Sequence, residues 1–270
     1  MFRAFFGVKG EHRAPDGRQV NAVRGTLDLL SRLLETRRPR SLVIATDEDW
    51  RPAFRVEALP TYKAHRVAEP VPPGLIPQLP LIEQVLRALG LNVTGKPGFE
   101  AEDVISSYAG RLAKPIEIYS GDRDLFASVR DREVVVLYPE KGGLAVVDEA
   151  EVEKRYGIPG RTYADFAVLR GDPSDGLPGV PGVGPKTAAG LLRRHGGLEG
   201  VLQALDWGPA TRDYVERARR VVRPVTDLEL PEAMPGFDPG RVDLGTLERL
   251  NRELGIAPHS SRFLKAMGGG

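Results

Sequence analysis

Residues 171–188 read GDPSDGLPGVPGVGPKTA, and this stretch combines two acids, a glycine-proline turn and the start of a helix. Asp172 and Asp175 are three residues apart, so their side chains are neighbours if the chain there is helical or turn-like. A helix from about residue 185 would present unpaired N–H groups to a phosphate. The glycines that let the backbone approach a ligand are Gly179, Gly182 and Gly184. The stretch therefore predicts a metal-ligand pair beside a phosphate-binding surface.

A nucleotide-binding P-loop is the main alternative for this stretch, because Gly179, Gly184, Lys186 and Thr187 nearly match G-x-x-x-x-G-K-[ST]. Pro185 is one residue too many and removes a backbone donor where the loop needs one. The preceding residues also lack the apolar strand that feeds a P-loop. The spacing fits a helix-hairpin-helix better, in which main-chain amides hold a nucleic-acid backbone without reading its bases. A plain helix-turn-helix corner explains neither the acids nor the lysine.

Composition indicates a globular protein of 270 residues, with 41% hydrophobic residues and a net charge of +1. The chain has no cysteine, which excludes disulfides, thiolate metal sites and cysteine nucleophiles. The apolar run at the start is too short for a signal peptide or a membrane span. These features predict a soluble, cytoplasmic protein without a membrane partner.

Short apolar runs alternate with helical patterns over the first 150 residues. The predicted strands cover residues 41–46, 116–120, 134–138 and 144–147, and the predicted helices cover residues 20–34, 81–90 and 100–113. This alternation predicts an α/β fold with a mostly parallel central sheet flanked by helices. Residues 67–80 are rich in proline and predict a loop or arch, and from about residue 151 the pattern is mostly helical.

Acidic side chains recur where ligands bind in an open α/β sheet, beyond the carboxyl ends of strands. Asp47 follows the first strand and Asp122 and Asp124 follow the second, while a cluster of acids opens the helix between them. Acids also favour helix starts and loops for ordinary reasons. Crowded carboxylates need protonation or cations, and oxygen-only ligands suit Mg²⁺ or Mn²⁺. Two such ions about 4 Å apart can activate phosphodiester hydrolysis.

A basic segment, FRVEALPTYKAHR at residues 54–66, lies between the first acid and the proline-rich loop. Lysine or arginine here can bind the scissile phosphate and offset transition-state charge, although a solvated basic loop is the alternative. The four histidines show no metal-ligand spacing.

Together these motifs resemble the flap endonuclease and 5′ nuclease family, which includes the 5′ nuclease domain of bacterial DNA polymerase I. FRVEALPTYKAHR, GFEAEDV, SGDRDL and GDPSDGLPGVPGVGPKTA occur in the family's order over nearly the whole chain. The resemblance is to a stand-alone bacterial homologue. It implies a PIN-like nuclease core over residues 1–160, with a helical arch near 60–95. Residues 161–270 would form the helix-hairpin-helix (H3TH) region and C-terminal helices.

The resemblance also implies roles for individual residues. The implied metal ligands are Asp47, Glu100, Glu102, Asp103, Asp122, Asp124, Asp172 and Asp175. The implied catalytic residues are Lys63, Arg66 and Asp122. The implied DNA contacts are Arg3, Arg55, Lys63, Arg66, Gly179, Gly182, Gly184, Lys186 and Thr187. Two or more Mg²⁺ or Mn²⁺ ions are expected, with a K⁺ ion at the hairpin.

The chain departs from the family pattern in three places. Glu102 replaces a usual Asp, and Gly176 stands where many members have Asn. The family normally begins with a strand ending in L-L-[DV]-D-G, whereas this chain begins at the helix that follows. The resemblance therefore implies a missing central strand, one missing acidic ligand and weaker metal binding.

The expected function is structure-specific hydrolysis of DNA at 5′ flaps, nicks or 5′ ends, in replication and repair. The expected enzyme is monomeric, bacterial and nucleoid-associated, with functional links to a polymerase and a ligase. Two alternatives remain: a branched-DNA binding module that has lost catalysis, and a PIN-like ribonuclease. A phosphatase centred on Asp47 and Asp49 leaves the hairpin unexplained.

Overall fold

The structure is a computed structural model that describes residues 7, 10, 12–67, 72–233 and 236–268. Its residues form two compact units. The terminal unit comprises the described residues of Met1–Ile44, Glu69–Thr94 and Pro231–Gly270, and the central unit comprises those of Ala45–Ala68 and Gly95–Leu230. The predicted boundary at residue 160 falls within the central unit and stays a prediction. The start of the chain, including the predicted absence of a strand, lies outside the described residues.

Helices dominate both units. In chain order they are α1 (Asn21–Arg37), α2 (Ala53–Ala58), α3 (Leu79–Ala88), α4 (Ala101–Arg111), α5 (Glu149–Tyr156), α6 (Tyr163–Arg170), α7 (Pro185–His195), α8 (Leu198–Ala204), α9 (Pro209–Val222), α10 (Leu244–Leu254) and α11 (Ala257–Gly268). The strands are β1 (Val43–Ala45), β2 (Asn92–Thr94), β3 (Ile116–Tyr119), β4 (Val134–Glu140) and β5 (Gly143–Val147). Within the described ranges, no helix is long and apolar enough to span a bilayer.

The terminal unit is built around α1, whose predicted apolar face is confirmed. Val23, Leu27 and Leu34 are buried on this face, which packs against α11 and α3. The side-chain oxygen of Gln78 accepts a hydrogen bond from the backbone N–H of Ala22 at 2.8 Å, which satisfies a donor in the first turn of α1. β1 and β2 pair in a two-stranded sheet, and β2 was not predicted.

The central unit contains a three-stranded sheet in the order β3-β4-β5. β3 and β4 are parallel, with Ile116 opposite Val134, as expected for an α/β fold. β5 instead pairs antiparallel to β4, with Val136 opposite Val147. Only two residues join β4 to β5, and a connection this short permits a hairpin but not a crossover to a parallel strand. The sheets of the described residues are thus small and mixed.

The stretch at residues 171–188 forms a turn, a hairpin and a helix, as predicted. Asp172 and Leu177 exchange backbone hydrogen bonds of 3.0 and 2.9 Å around a single 3₁₀ turn, Pro173–Asp175. Gly171 and Gly179 cross so closely that a Cβ on Gly179 would lie 2.7 Å from the backbone nitrogen of Gly171. α7 then begins at Pro185. No strand is present among residues 171–188, which agrees with the rejection of a P-loop.

Candidate active site

The acids at the start of α4 serve two different purposes. Glu100 is the N-cap residue of α4 and forms a reciprocal capping box with Asp103. Asp103 has no exposure, whereas the side chain of Glu102 retains 11% exposure. One sequence cluster therefore supplies both a buried structural acid and a ligand candidate.

Arg55, on α2, is the cation that neutralises this cluster. Its Nη1 and Nη2 donate to the two carboxylate oxygens of Asp103 at 2.9 and 2.6 Å, and Nη1 also donates to Glu100 at 2.5 Å. Glu102 lies 3.1 Å from Nη2, and Nε donates to the carbonyl of Val221 at 2.9 Å. Burial lowers the pKa of Arg55, and the neighbouring acids raise it by more, so the guanidinium stays charged. The Arg55 side chain has no exposure, which argues against its predicted contact with DNA.

The same partners hold Asp103, which the sequence predicted to be a metal ligand. Both of its oxygens accept from Arg55, and one also accepts from the backbone N–H of Val225 at 2.8 Å. A fully buried carboxylate whose oxygens are already shared among donors holds α2, α4 and the segment after α9 together. This pairing gives Asp103 a structural role, and its predicted role as a metal ligand stays a prediction.

Lys63 is held against the acids from two sides. Its ammonium group donates to Glu100, and its backbone N–H donates to the carbonyl of Asp175 at 3.1 Å. Lys63 has a φ of 46°, a left-handed conformation that this backbone pairing maintains. Burial lowers the pKa of Lys63 while Glu100 and Asp175 raise it by more, so the ammonium remains charged. Tyr62 donates its hydroxyl to Glu100 at 2.7 Å.

Three acids from two segments form the candidate metal centre. Oxygen atoms of Glu102, Asp122 and Asp124 all lie within 4.8 Å of one another. Burial raises the pKa of Glu102 to about 8, and the charges of Glu100 and Asp122 add to the increase. Burial also raises the pKa of Asp124 well above its ordinary value, reinforced by Asp122 and Asp175. Such crowding of oxygen donors fits a hard divalent cation, whose charge would relieve it.

The two acids of the hairpin stretch have separate surroundings. Asp175 is close enough to Asp124 to raise the pKa of that carboxyl, and its Oδ1 lies 3.1 Å from Nη2 of Arg66, so it extends the candidate metal centre. Asp172 instead accepts from Arg170 at 2.9 Å and from the backbone N–H of Ser174 at 3.0 Å. The structure thus joins Asp175 to the centre, whereas Asp172 is already occupied by local donors.

Asp47 lies beside the start of α4. It is exposed, and its Oδ1 accepts from the backbone N–H of Ala101 at 2.8 Å. Asp47 lies two residues beyond the end of β1, and this bond connects it to the first turn of the helix that carries Glu102. The role of Asp47 as a metal ligand stays a prediction.

The predicted DNA contacts in the hairpin divide by exposure. Gly182, Gly184, Lys186 and Thr187 are exposed at the hairpin tip and the start of α7. Gly179 is buried, and its N–H donates to the hydroxyl of Tyr214 at 2.9 Å. That amide is therefore not available to a phosphate, which argues against a direct DNA contact by Gly179. Arg3 lies outside the described residues.

Two site residues were not predicted from the sequence. Tyr62 precedes Lys63 and bonds to Glu100, and Arg170 precedes the hairpin stretch and bonds to Asp172. Adjacency to predicted residues was the available signal. It does not distinguish an inward-facing side chain from an exposed one, so only the packed structure identifies these partners.

Comparison with known proteins assigns the chain to a family of nucleases. Residues 1–157 match the 5′-3′ exonuclease N-terminal resolvase-like domain, and residues 158–237 match the 5′-3′ exonuclease C-terminal SAM fold. The chain belongs to the 5′-3′ exonuclease family. It is 47% identical over 291 residues to a 5′-3′ exonuclease of Streptomyces coelicolor, covering 98% of this chain and 96% of that one.

Solved structures support the same fold. Flap endonuclease-1 from Methanococcus jannaschii matches with a TM-score of 0.61 and 18% identity, covering 99% of this chain and 90% of that chain. The bacteriophage T5 flap endonuclease, solved in a pseudo-enzyme-product complex with DNA and metal ions, matches with a TM-score of 0.55 and 14% identity, covering 91% of each chain. At these identities the likeness establishes the α/β fold with its C-terminal helical region.

Proposed function

We propose that the chain is a structure-specific 5′ nuclease that hydrolyses DNA phosphodiester bonds at 5′ flaps, nicks or 5′ ends. The observation that carries this proposal is the cluster of Glu102, Asp122 and Asp124. Lys63 and Arg66 are held beside it by their ion pairs with Glu100 and Asp175. Acidic oxygens that bind divalent cations, combined with cations that can contact phosphate, are the components of phosphodiester hydrolysis. Membership of the 5′-3′ exonuclease family supports it.

The metal centre would be formed by Glu102, Asp122 and Asp124, with Asp47 and Asp175 at its margins. The donor set fits Mg²⁺ or Mn²⁺, because every candidate ligand is a carboxylate and burial raises the pKa of Glu102 and Asp124. When bound, such cations polarise the phosphodiester and lower the pKa of water. Glu100 supports the centre by binding Lys63 and Arg55.

Lys63 and Arg66 would bind the phosphate that reacts. Arg66 retains 39% exposure of its side chain and contacts Asp175, so its guanidinium is open to solvent at the edge of the acids. Lys63 is nearly buried on Glu100, and its ammonium must exchange Glu100 for a phosphate oxygen to act. Asp122 is the exposed member of the cluster and would lie closest to an incoming strand.

The exposed hairpin would hold duplex DNA. Backbone amides at Gly182 and Gly184, with Lys186 and Thr187 at the start of α7, suit a phosphate backbone without base reading. A K⁺ ion at this hairpin is part of the proposal, as is a helical arch near residues 60–95. The enzyme would act as a monomer on DNA in the bacterial cytoplasm, at the nucleoid, in steps shared with a polymerase and a ligase.

The test is cleavage of a labelled 5′-flap DNA with and without Mn²⁺ or Mg²⁺. The wild-type chain should cleave only with metal, and Asp122→Asn should bind the flap without cleaving it. Asp131→Asn, an exposed acid in the turn before β4, is the matched control and should cleave normally. Binding without any cleavage would favour a branched-DNA binding module, and preference for a matched RNA flap would favour a ribonuclease.

A further inference from the structure

Trp50 is an exposed tryptophan on the segment that joins Asp47 to Lys63. The residue is 47% exposed, although tryptophan is highly buried on average. Among the described residues, no aromatic pair or cation-π contact involves its ring, while the nearby Phe54 packs on Phe99 at 5.7 Å. The indole of Trp50 therefore presents apolar surface to solvent beside the candidate active site.

Hydrogen bonds anchor both residues that flank Trp50. The N–H of Asp49 donates to the carbonyl of Phe99 at 3.2 Å. On the other side, Nε of Arg51 donates to the carbonyl of Tyr62 at 2.7 Å, and Nη2 donates to Pro60 at 2.9 Å. The N–H of Arg51 also donates to Asp49 at 3.0 Å. The segment is thus a fixed platform, which lowers the entropy cost of stacking a ligand on it.

These anchors position Trp50 relative to the reaction. Phe99 and Tyr62 are the residues immediately before Glu100 and Lys63, and Glu100 and Lys63 are bonded to each other. Adding the covalent spacing to the hydrogen bond between Asp49 and Phe99 leaves the backbone of Trp50 within roughly 10 Å of that of Glu100, whose carboxylate accepts from the ammonium of Lys63. A nucleotide whose phosphate contacts Lys63 therefore has its base within reach of the indole.

We propose that Trp50 is a stacking site for an unpaired nucleobase of the nucleotide next to the scissile phosphate. This inference rests on the proposed 5′ nuclease function. Every base has a π-face, so stacking selects unpaired over paired nucleotides without selecting sequence. Trp50 would thereby act as a positioning and specificity residue, favouring substrates in which that nucleotide has left the duplex.

The first test combines protein and DNA changes. Trp50→Ala should lower kcat/KM for a 5′-flap about tenfold, the order expected for loss of one aromatic-base stack, and Trp50→Phe should retain most activity. An abasic residue is placed in turn at each of the two nucleotides that flank the scissile phosphate. At the stacked position it should remove the difference in kcat/KM between Trp50→Ala and wild type. Equal activity of Trp50→Ala and wild type on the intact flap, as expected if Trp50 docks a protein, overturns the proposal. The proposal is also overturned if Trp50→Ala has a lower kcat/KM than wild type whichever nucleotide is abasic.

The second test does not depend on cleavage. The chain has two tryptophans, so Trp207→Phe leaves Trp50 as the fluorescent reporter and Trp50→Phe leaves Trp207 as the matched control. Binding of a 5′-flap in Ca²⁺ should quench the emission of Trp50 and leave that of Trp207 nearly unchanged, and a fully paired blunt duplex should quench Trp50 much less. If the wild-type chain fails to cleave any flap, the nuclease proposal fails while this quenching still decides the stacking site. Absence of quenching on a bound flap overturns it.

Discussion

Arg55 and Asp103 form a bidentate pair in which neither side chain has any exposure, with Nη2–Oδ1 at 2.6 Å and Nη1–Oδ2 at 2.9 Å. The pair joins α2 to the first turn of α4, and α4 carries Glu102. The position of the candidate metal ligand thus depends on a buried ion pair that itself contacts no solvent.

Arg55→Met should destabilise the protein by about 3–5 kcal/mol, because it leaves Asp103 and Glu100 buried without their cation. Urea unfolding monitored by circular dichroism measures the change. The matched control is Arg217→Met, which breaks an exposed pair with Asp213 on α9 and should cost less than about 1 kcal/mol. If Arg55→Met is as stable as that control, the buried pair does not support the site.

Asp124→Asn should have the opposite effect on the metal-free protein. Burial and the charges of Asp122 and Asp175 raise the pKa of Asp124, so the folded protein disfavours its carboxylate form. A neutral amide should therefore maintain or increase metal-free stability at pH 8.5, by up to about 1 kcal/mol. The increase in Tm on adding Mn²⁺ should shrink, together with cleavage. Asp131→Asn should change neither quantity, and a full Mn²⁺ response in Asp124→Asn would contradict its assignment as a ligand.

The stability of the metal-free protein should fall as pH rises towards 8. Burial raises the pKa of Glu102 from its ordinary 4.5 to about 8, so the folded state retains a proton that the unfolded chain releases near pH 4.5. The stability that this retained proton adds to the folded state is complete below pH 4.5 and is lost as pH rises through about 8. Because the cation binds the charged form, the increase in Tm with Mg²⁺ should be larger at pH 8.5 than at pH 6. Glu102→Gln should flatten this dependence, whereas the exposed control Glu133→Gln should leave it intact.

Gly176→Ala should separate the hairpin stretch from the Lys63 segment. Gly176 has a φ of 74°, and a Cβ there would overlap the carbonyl oxygen of Thr61. The change should lower stability by about 1–3 kcal/mol and reduce cleavage, since Lys63 pairs with Asp175 through the same contact. Gly190→Ala is the control, because it lies within α7 with open space around it and should be neutral or slightly stabilising. Equal thermal stability of the two variants would show that the backbone at Thr61 can move away from a Cβ at residue 176 without loss of stability.

Lys186→Ala should weaken DNA binding equally for different sequences and reduce the salt slope of log K by about one. Its exposed position at the start of α7 suits contact with a phosphate. Lys154→Ala, which removes an exposed lysine paired with Glu151, is the control and should leave the slope unchanged. Fluorescence anisotropy at several salt concentrations measures both. An unchanged salt slope for Lys186→Ala would show that Lys186 does not contact a phosphate of the bound duplex.

Local patterns predicted most of the secondary structure. The apolar spacing of residues 20–34 predicted α1, and the runs at residues 116–120 and 134–138 predicted β3 and β4. β2 escaped prediction because its three residues, Asn92–Thr94, are too short for a period to be visible. The antiparallel direction of β5 depends on a two-residue connection, which the glycines at 142 and 143 permit through positive φ angles.

For the candidate site, residue type and order by themselves determined the chemistry: carboxylates for a hard cation, a basic segment for phosphate and a glycine hairpin followed by a helix. Only the tertiary structure decided which acids face the candidate metal centre and which are paired with buried cations. Glu102 lies in the candidate metal centre while Asp103, its neighbour, is buried on Arg55, and the N–H of Gly179 is bonded to Tyr214 while Gly182 is exposed. The physical reason is that donor chemistry belongs to each side chain, whereas burial and pairing depend on segments brought together from distant parts of the chain. Arg55 meets Asp103 across 48 residues and Val221 across 166.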